Sequence, residues 1–319
     1  MKLSRRNLFI ILGVLVWAFI GWQVTPYITD LLRNGDALPT IHSKWMFLLA
    51  ILLVPINWGI EAAKWHYLIF KKSKNGFRLA YKSVLSGMAI GILTPSRIGE
   101  PFARALMVPD GHYLTSTAAA LICSITQQAA TLLFGIIGAL TIAQQFDISS
   151  SNLISVAGFG ALLLSVLMLI LMLSPTLLKW IAHHHFTKKV IESIRGIDAF
   201  TLKQVASIQG LSIIRYCIFT SQYMLILYAF GISASPLQTA SAVTCIFLVG
   251  SIIPSPAIVD VGVKISLAIL FLGTTLNSEK IAAIASTTIW IINLAIPAIV
   301  GTIFVMKNSF SSRKVNTPS

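Results

Sequence analysis

Three charged residues lie close together within a strongly apolar part of this sequence. Arg97, Glu100 and Arg104 follow an apolar run that ends at Pro95. Charges at membrane depth are costly and usually face a cavity or a charged partner. An arginine presents a planar fork of donors that suits a phosphate, and Glu100 can pair with an arginine or with a substrate amine. The pattern indicates a polar binding site, and the competing interpretation is an ion pair that only closes a helical hairpin.

The local sequence indicates how these charges are positioned. Pro95 disfavours helix at the preceding residue, so the apolar helix should end there. A new helix should begin near Glu100 and Pro101, because proline suits the first helical turn. The amides at such a helix start attract anions, and they would point into the membrane interior beside Arg97.

A second proline break occurs late in the chain. Pro254-Ser255-Pro256 follows another apolar run, and Asp260 and Lys264 come after it in the favourable acid-before-base order. An alternative interpretation is a local ion pair at the outer rim. Because both breaks have a Pro-Ser pair followed by an acid with a base nearby, the sequence predicts an inverted repeat with a site at the midplane.

Glu61 is a further site candidate, since it lies deep in an apolar segment. Lys64 is three residues away and Asn57 one turn before, so all three can share one helix face. Lys64 approaches the predicted cytoplasmic end, and the alternative is that it extends to the interface. Other polar residues of the apolar segments either line a polar path or form interhelical hydrogen bonds. They are Gln127, Gln128, Arg215, Tyr216, Gln222 and Tyr223.

The elements that carry these residues belong to a membrane protein. The 319 residues are 56% hydrophobic and 11% charged, with a mean hydropathy of +0.83, whereas soluble domains are about 25% charged. We predict an all-α polytopic fold with six spans of about 20 apolar residues or more. The spans are 8–28, 45–70, 114–143, 153–174, 206–231 and 281–306. The proline-broken regions 79–107 and 237–273 are predicted as re-entrant hairpins, although pairs of short spans would give the same topology.

The basic residues predict the orientation. They cluster at the N-terminus, in 71–82, in 179–203 and at the C-terminus, whereas the opposite connections hold only Arg33, Lys44 and Lys280. The positive-inside rule therefore places both termini in the cytoplasm. We attribute the net charge of +14 to these loops and to contacts with anionic lipid, and we expect no nucleic-acid partner.

The chain is predicted to form one transmembrane domain over 1–307 with a disordered cytoplasmic tail over 308–319. Residues 188–204 are predicted as an interfacial helix. Three scattered cysteines and the adjacent His183-His184-His185 do not have the spacing of a metal site, and no catalytic motif is present. We therefore expect no metal, no cofactor and no enzymatic activity.

The first motif resembles the lysylphosphatidylglycerol synthase transmembrane region family, which is also called flippase-like. Pro95, Arg97, Gly99, Glu100 and Arg104 match its first motif in register. The pair Lys64-Trp65 also resembles a basic-Trp pair of the family's second span. Pro254, Ser255 and Pro256 resemble part of its second motif, while Ala257 to Asp260 and Lys264 replace the usual glycines and glutamate. The resemblance extends over roughly 8–306.

This resemblance implies a bacterial inner-membrane protein that translocates or handles a phosphate-bearing lipid. The lipid could be an aminoacyl-phospholipid, a polyprenyl-phosphate glycolipid or a similar molecule. The alternatives are a subunit of a membrane glycolipid transferase, or a non-transporting scaffold that recruits a soluble synthase through the basic loop 179–205. The candidate binding residues are Arg97, Glu100, Arg104, Ser96, Asp260, Lys264 and Glu61. The structural motif residues are Pro95, Gly99, Pro101, Pro254, Ser255 and Pro256.

Overall fold

The computed structural model describes most of the chain between residues 40 and 311. The ranges are 40–70, 76–94, 97, 99–108, 113–145, 201–253, 260–273 and 279–311, with single positions at 14, 18, 25, 29, 158, 162, 165 and 166. The predicted spans 8–28 and 153–174 fall almost entirely outside the described residues. The same is true of most of the predicted interfacial helix 188–204.

The described part of the chain is helical and contains no strand. The helices are α1 Lys44–Trp65, α2 Gly76–Gly91, α3 Gly99–Leu106, α4 Tyr113–Gln145, α5 Leu202–Ala229, α6 Pro236–Ile252, α7 Asp260–Ala268, α8 Glu279–Trp290 and α9 Ile296–Ser311. Short π-helical segments extend α1, α7 and α8, over His66–Phe70, Ile269–Gly273 and Ile291–Ala295.

Local sequence signals explain where several helices begin. Ser43 accepts a hydrogen bond from the Met46 amide at the start of α1. Thr201 and Gln204 form a reciprocal capping box at α5, and Ser235 with Gln238 does the same at α6. Such caps satisfy amides that the first turn leaves without partners, so they fix the helix starts.

Four segments are long and apolar enough to cross a membrane: Lys44–Phe70, Ser116–Ala143, Lys203–Ala229 and Glu279–Met306. They correspond to four of the six predicted spans, and they confirm a multi-pass membrane protein. The last helix continues to Ser311, four residues into the segment predicted as a disordered tail. Residues 312–319 lie outside the described part.

The first proline-broken region folds as two short antiparallel helices. Gly91 near the end of α2 lies against Glu100, and one turn earlier Gly87 lies against Arg104. The Ser83 hydroxyl donates to the Arg104 carbonyl over 2.9 Å. With 16 and 8 residues, α2 and α3 are each shorter than a span. Their re-entrant placement in the bilayer stays a prediction.

The second proline-broken region also gives two helices, α6 and α7, which contact each other. Pro254, Ser255 and Pro256, which separate the two helices in the sequence, lie outside the described residues. The predicted inverted repeat therefore stays a prediction as well.

Close helix packing depends on small residues at two crossings. Gly138 of α4 lies against Thr244 and Ser241 of α6, and Gly301 of α9 lies against the backbone of Leu85 in α2. Interfaces between membrane helices favour small residues because these let the backbones approach closely. The α2–α3 pair, which carries the first motif, is thereby held against the last span.

We predict that Gly301→Ala destabilises the protein by about 1–3 kcal/mol, because the new methyl group meets the Leu85 carbonyl and forces the backbone to move. The matched control is Gly210→Ala in α5, where nothing lies within 4 Å of the added carbon. The control should be neutral, or stabilising by up to about 1 kcal/mol. Unfolding in mixed micelles titrated with SDS measures both, and equal midpoints would contradict the close packing.

Candidate functional site

A buried carboxylate, Glu61 of α1, joins three cationic side chains. Its Oε1 lies 2.6 Å from Arg104 Nη1 of α3, and its Oε2 lies 2.8 Å from Lys64 Nζ. Arg215 Nη1 of α5 lies 3.5 Å from the same Oε2. Glu61 is only 3% exposed. A buried charge is tolerated when partners of opposite sign surround it, and here they come from three helices.

The ion pairs continue from Arg104 into the first motif. Arg104 Nη2 contacts Glu100 Oε1, and Glu100 Oε2 lies 2.5 Å from Arg97 Nη2. Arg104 is buried beneath Gly87. Arg97, Glu100 and Arg104 thus form one continuous series of ion pairs with Glu61. The ion pair that the sequence predicted within the hairpin belongs to this series.

Arg97 has a strained backbone conformation within a tight turn. Its φ of 59° is in the left-handed region, which costs a non-glycine residue of order 1–3 kcal/mol. Thr94 organises the turn, since its carbonyl accepts from the Arg97 amide at 3.0 Å and its hydroxyl accepts from the Gly99 amide at 2.9 Å. A Cβ at Gly99 would meet Thr94 Cγ2 at 2.8 Å, so this motif glycine allows the turn to close. Such strain is typical of functional sites.

Lys64 does not extend to the membrane interface. It is fully buried, and its ammonium contacts the Ser212 hydroxyl at 3.0 Å and the Cys123 carbonyl at 3.2 Å, besides Glu61. The alternative that Lys64 reaches the interface is therefore wrong. The reason is that Glu61, one turn away on the same face, offers a closer partner.

Arg215 completes the group from α5. Its Nη1 donates to Gln127 Oε1 at 3.1 Å, and its guanidinium lies 5.0 Å from the centre of the Trp58 ring. The sequence placed Arg215 only among residues of a polar path or of interhelical bonds. The structure shows the interhelical bond, to Gln127, and places Arg215 in the wall of a cavity.

A cavity of about 280 Å³ lies beside this chain of ion pairs. Three cationic side chains from different parts of the sequence line it, namely Arg97, Arg215 and Lys264. Aromatic and uncharged polar residues supply much of the remaining wall. They include Trp58, Tyr216, Phe219, Tyr223, Phe247, Trp290, Asn57, Gln127, Thr131, Ser251, Ser286 and Asn293. Among the described residues, no carboxylate belongs to the lining.

The cavity brings the two motif regions together. Arg97 follows the first proline break and Lys264 follows the second, and both reach the same space. Asp260 supports Lys264, since its Oδ2 lies 2.7 Å from Lys264 Nζ and accepts from Trp290 Nε1 at 3.2 Å. Glu61, Glu100, Arg104 and Asp260 are thus neighbours of the lining side chains and do not line the cavity themselves.

A row of amides runs from the cavity into the protein. Asn57 Nδ2 donates to Asn293 Oδ1 at 3.1 Å, and Asn293 Nδ2 donates to Gln222 Oε1 at 3.0 Å. Gln222 then donates to the Ala50 carbonyl at 2.7 Å. Asn293 and Trp290 were not singled out from the sequence. An asparagine inside an apolar span was the available signal for Asn293, whereas nothing local indicated Trp290.

Three further candidates belong to the first motif: Pro95, Ser96 and Pro101. Pro101 is buried in the first turn of α3, as the sequence predicted for a helix start. Ser96 and Pro95 lie outside the described residues. Within the described ranges, no three His, Cys, Asp or Glu side chains come together as metal ligands.

One comparison with known proteins gives a match over nearly the whole chain. The model of the family described as lysylphosphatidylglycerol synthase TM region matches residues 8–301. The chain belongs to this family. The resemblance seen at the first motif is thereby confirmed, and the family ties the chain to membrane lipid handling. No curated protein and no solved structure matches the chain.

In this family member we predict that Glu61→Gln costs about 3–5 kcal/mol of stability, because it leaves Lys64 and Arg104 buried without their shared carboxylate. The matched control is Asp260→Asn, whose partner Lys264 is 39% exposed, and it should cost no more than about 1 kcal/mol. SDS-induced unfolding in mixed micelles compares the two. A Glu61→Gln variant as stable as the control would show that the ion pairs do not stabilise the fold.

Proposed function

We propose that this protein handles a phosphate-bearing lipid and moves its headgroup across the bilayer. The observation that carries the proposal is the cavity, which is lined by Arg97, Arg215 and Lys264 and lies among helices long enough to span a membrane. Cationic side chains at such depth are costly unless an anion or a polar pathway uses them. Family membership supports a lipid as the source of that anion.

The dimensions of the cavity suit a headgroup. Its volume of about 280 Å³ is just below the range for pockets that hold drug-sized ligands, about 300–1,000 Å³. We infer that the phosphate and its polar substituent enter while the acyl chains stay in the bilayer. Arginine forks suit phosphate oxygens, and the amide row at Asn57 and Asn293 offers hydrogen bonds to uncharged substituents.

The same proposal includes the placement of the protein in the bilayer. We infer that α2–α3 and α6–α7 are re-entrant pairs that enter from opposite faces of a bacterial inner membrane, as in an inverted repeat. Both termini then lie in the cytoplasm. We infer that the protein moves the lipid without a chemical step, as a transporter and not as an enzyme.

A labelling experiment tests this orientation. In a variant with Cys123, Cys217 and Cys245 changed to alanine, we expect Arg78→Cys to react with an impermeant maleimide only from the cytoplasmic side. Lys280→Cys should react only from the opposite side, because the positive-inside bias places the two positions on different faces. Both positions are exposed. Labelling of both from the same side would contradict the topology.

The function is tested with the purified protein in two sets of liposomes, one with a fluorescent phosphatidylglycerol and one with a fluorescent phosphatidic acid. We expect wild-type protein to make the inner-leaflet label accessible to dithionite. Arg97→Glu should slow this at least about tenfold, because it replaces a phosphate-binding cation by a charge that repels the phosphate. The effect should appear without loss of fold, since Arg97 is 36% exposed.

The matched control is Arg78→Glu, a charge reversal at an exposed position of α2 that does not line the cavity. It should leave the rate unchanged. Equal rates for Arg97→Glu and wild type would reject the site. Absence of lipid movement by the wild type, together with lipid binding, would favour the scaffold alternative, whose basic loop 179–205 lies mostly outside the described residues.

A further inference from the structure

The ion-pair chain contains more positive than negative side chains. Among the described residues, four cations, Lys64, Arg97, Arg104 and Arg215, pair with two carboxylates, Glu61 and Glu100. The group therefore carries an excess of two positive charges. Lys264 adds none to this excess, since Asp260 balances it. An excess of charge in a low-dielectric interior is unfavourable until a counter-charge offsets it.

The two excess charges can be located. Lys64 and Arg104 are buried, and each lies within 2.8 Å of a carboxylate oxygen of Glu61. Arg97 and Arg215 line the cavity, so the unbalanced charge faces that space. The undescribed residues of the two breaks, 95, 96, 98 and 254–259, include no Asp or Glu in the sequence. The break segments therefore supply no further carboxylate to the cavity.

Hydrogen-bond donors beside the cavity point to the same kind of ligand. Arg97 Nε, Arg215 Nε and Trp58 Nε1 are buried and have no partner within the described part of the chain, and all three residues line the cavity. A buried donor without an acceptor costs about 1–3 kcal/mol. An acceptor-rich anion would satisfy these donors. Asn57 Oδ1 and the Tyr216 and Tyr223 hydroxyls, which also belong to the lining, lack partners in the described part as well, and these uncharged groups suit a hydroxyl group.

From this charge balance we propose that the headgroup carries two negative charges and no cation, as a phosphate monoester or a diphosphate does. This inference rests on the proposed lipid-handling function and specifies its substrate class. A dianion neutralises the excess at Arg97 and Arg215. A phosphodiester leaves one charge unbalanced, and an aminoacylated headgroup brings amines toward three cations with no carboxylate in the described lining to receive them.

The test compares lipids with identical acyl chains bound to the purified full-length protein in nanodiscs at pH 8. Phosphatidic acid supplies a phosphate monoester that has lost both protons at this pH, phosphatidylglycerol a monoanionic diester, and lysylphosphatidylglycerol a cationic headgroup. We expect phosphatidic acid to bind at least about tenfold more tightly than phosphatidylglycerol, with lysylphosphatidylglycerol the weakest, since charge-assisted hydrogen bonds are the strong ones.

Variants connect this preference to the cavity. Arg215→Gln should reduce the preference for phosphatidic acid over phosphatidylglycerol to about threefold or less, because one excess charge is removed. Arg97→Gln provides the same test at a more exposed position if Arg215→Gln does not fold. Arg78→Gln, on the exposed face of α2, should keep the wild-type preference.

Different results would contradict the dianion preference and the proposed lipid-handling function. Equal or tighter binding of phosphatidylglycerol or lysylphosphatidylglycerol overturns the dianion preference and leaves lipid handling intact. Failure of all three lipids to bind overturns the proposed function itself. Inorganic pyrophosphate is added as a competitor, and if it binds as tightly as phosphatidic acid, the site recognises a soluble phosphate and the lipid assignment is wrong.

Discussion

The structure depends on one buried carboxylate, Glu61, which holds charged side chains from three helices in an apolar interior. Without it, Lys64 and Arg104 would each remain buried near fewer negative charges, at a cost of several kcal/mol. With it, α1, α3 and α5 share a single electrostatic contact, and Lys64 extends the link to the α4 backbone at Cys123. The first motif is thereby fixed against the spans.

Charged residues near the cavity have two kinds of role. Glu61 and Glu100 are balanced by Lys64 and Arg104 away from the cavity, whereas Arg97 and Arg215 contact these carboxylates on one side and line the cavity on the other. This arrangement lets a cationic wall exist in an apolar interior, because part of each charge is offset by fixed carboxylates. The remaining charge is what a bound anion would neutralise.

Much of the scaffold could be predicted from the sequence, because its signals are local. Apolar runs of span length and basic connections identified a multi-pass membrane protein, and four spans were found where they were expected. Pro95 and Pro101 placed the break and the start of α3, since proline restricts the residue before it and suits a first helical turn. The family resemblance could also be seen from the sequence, because the residues of the first motif lie close together in it.

What the sequence determined by itself was the position of the four described segments of membrane length, the break before α3 and the charges that had to be accommodated. Only the tertiary structure decided which charges pair. Glu61 and Arg104 are 43 residues apart, and Arg97 shares the cavity with Arg215 and Lys264 from distant helices. Burial of Lys64 instead of its extension to the interface, and recruitment of Asn293 and Trp290, likewise depended on helix packing. Spacing along one helix reports which residues share a face, but it carries no information about which faces of different helices meet.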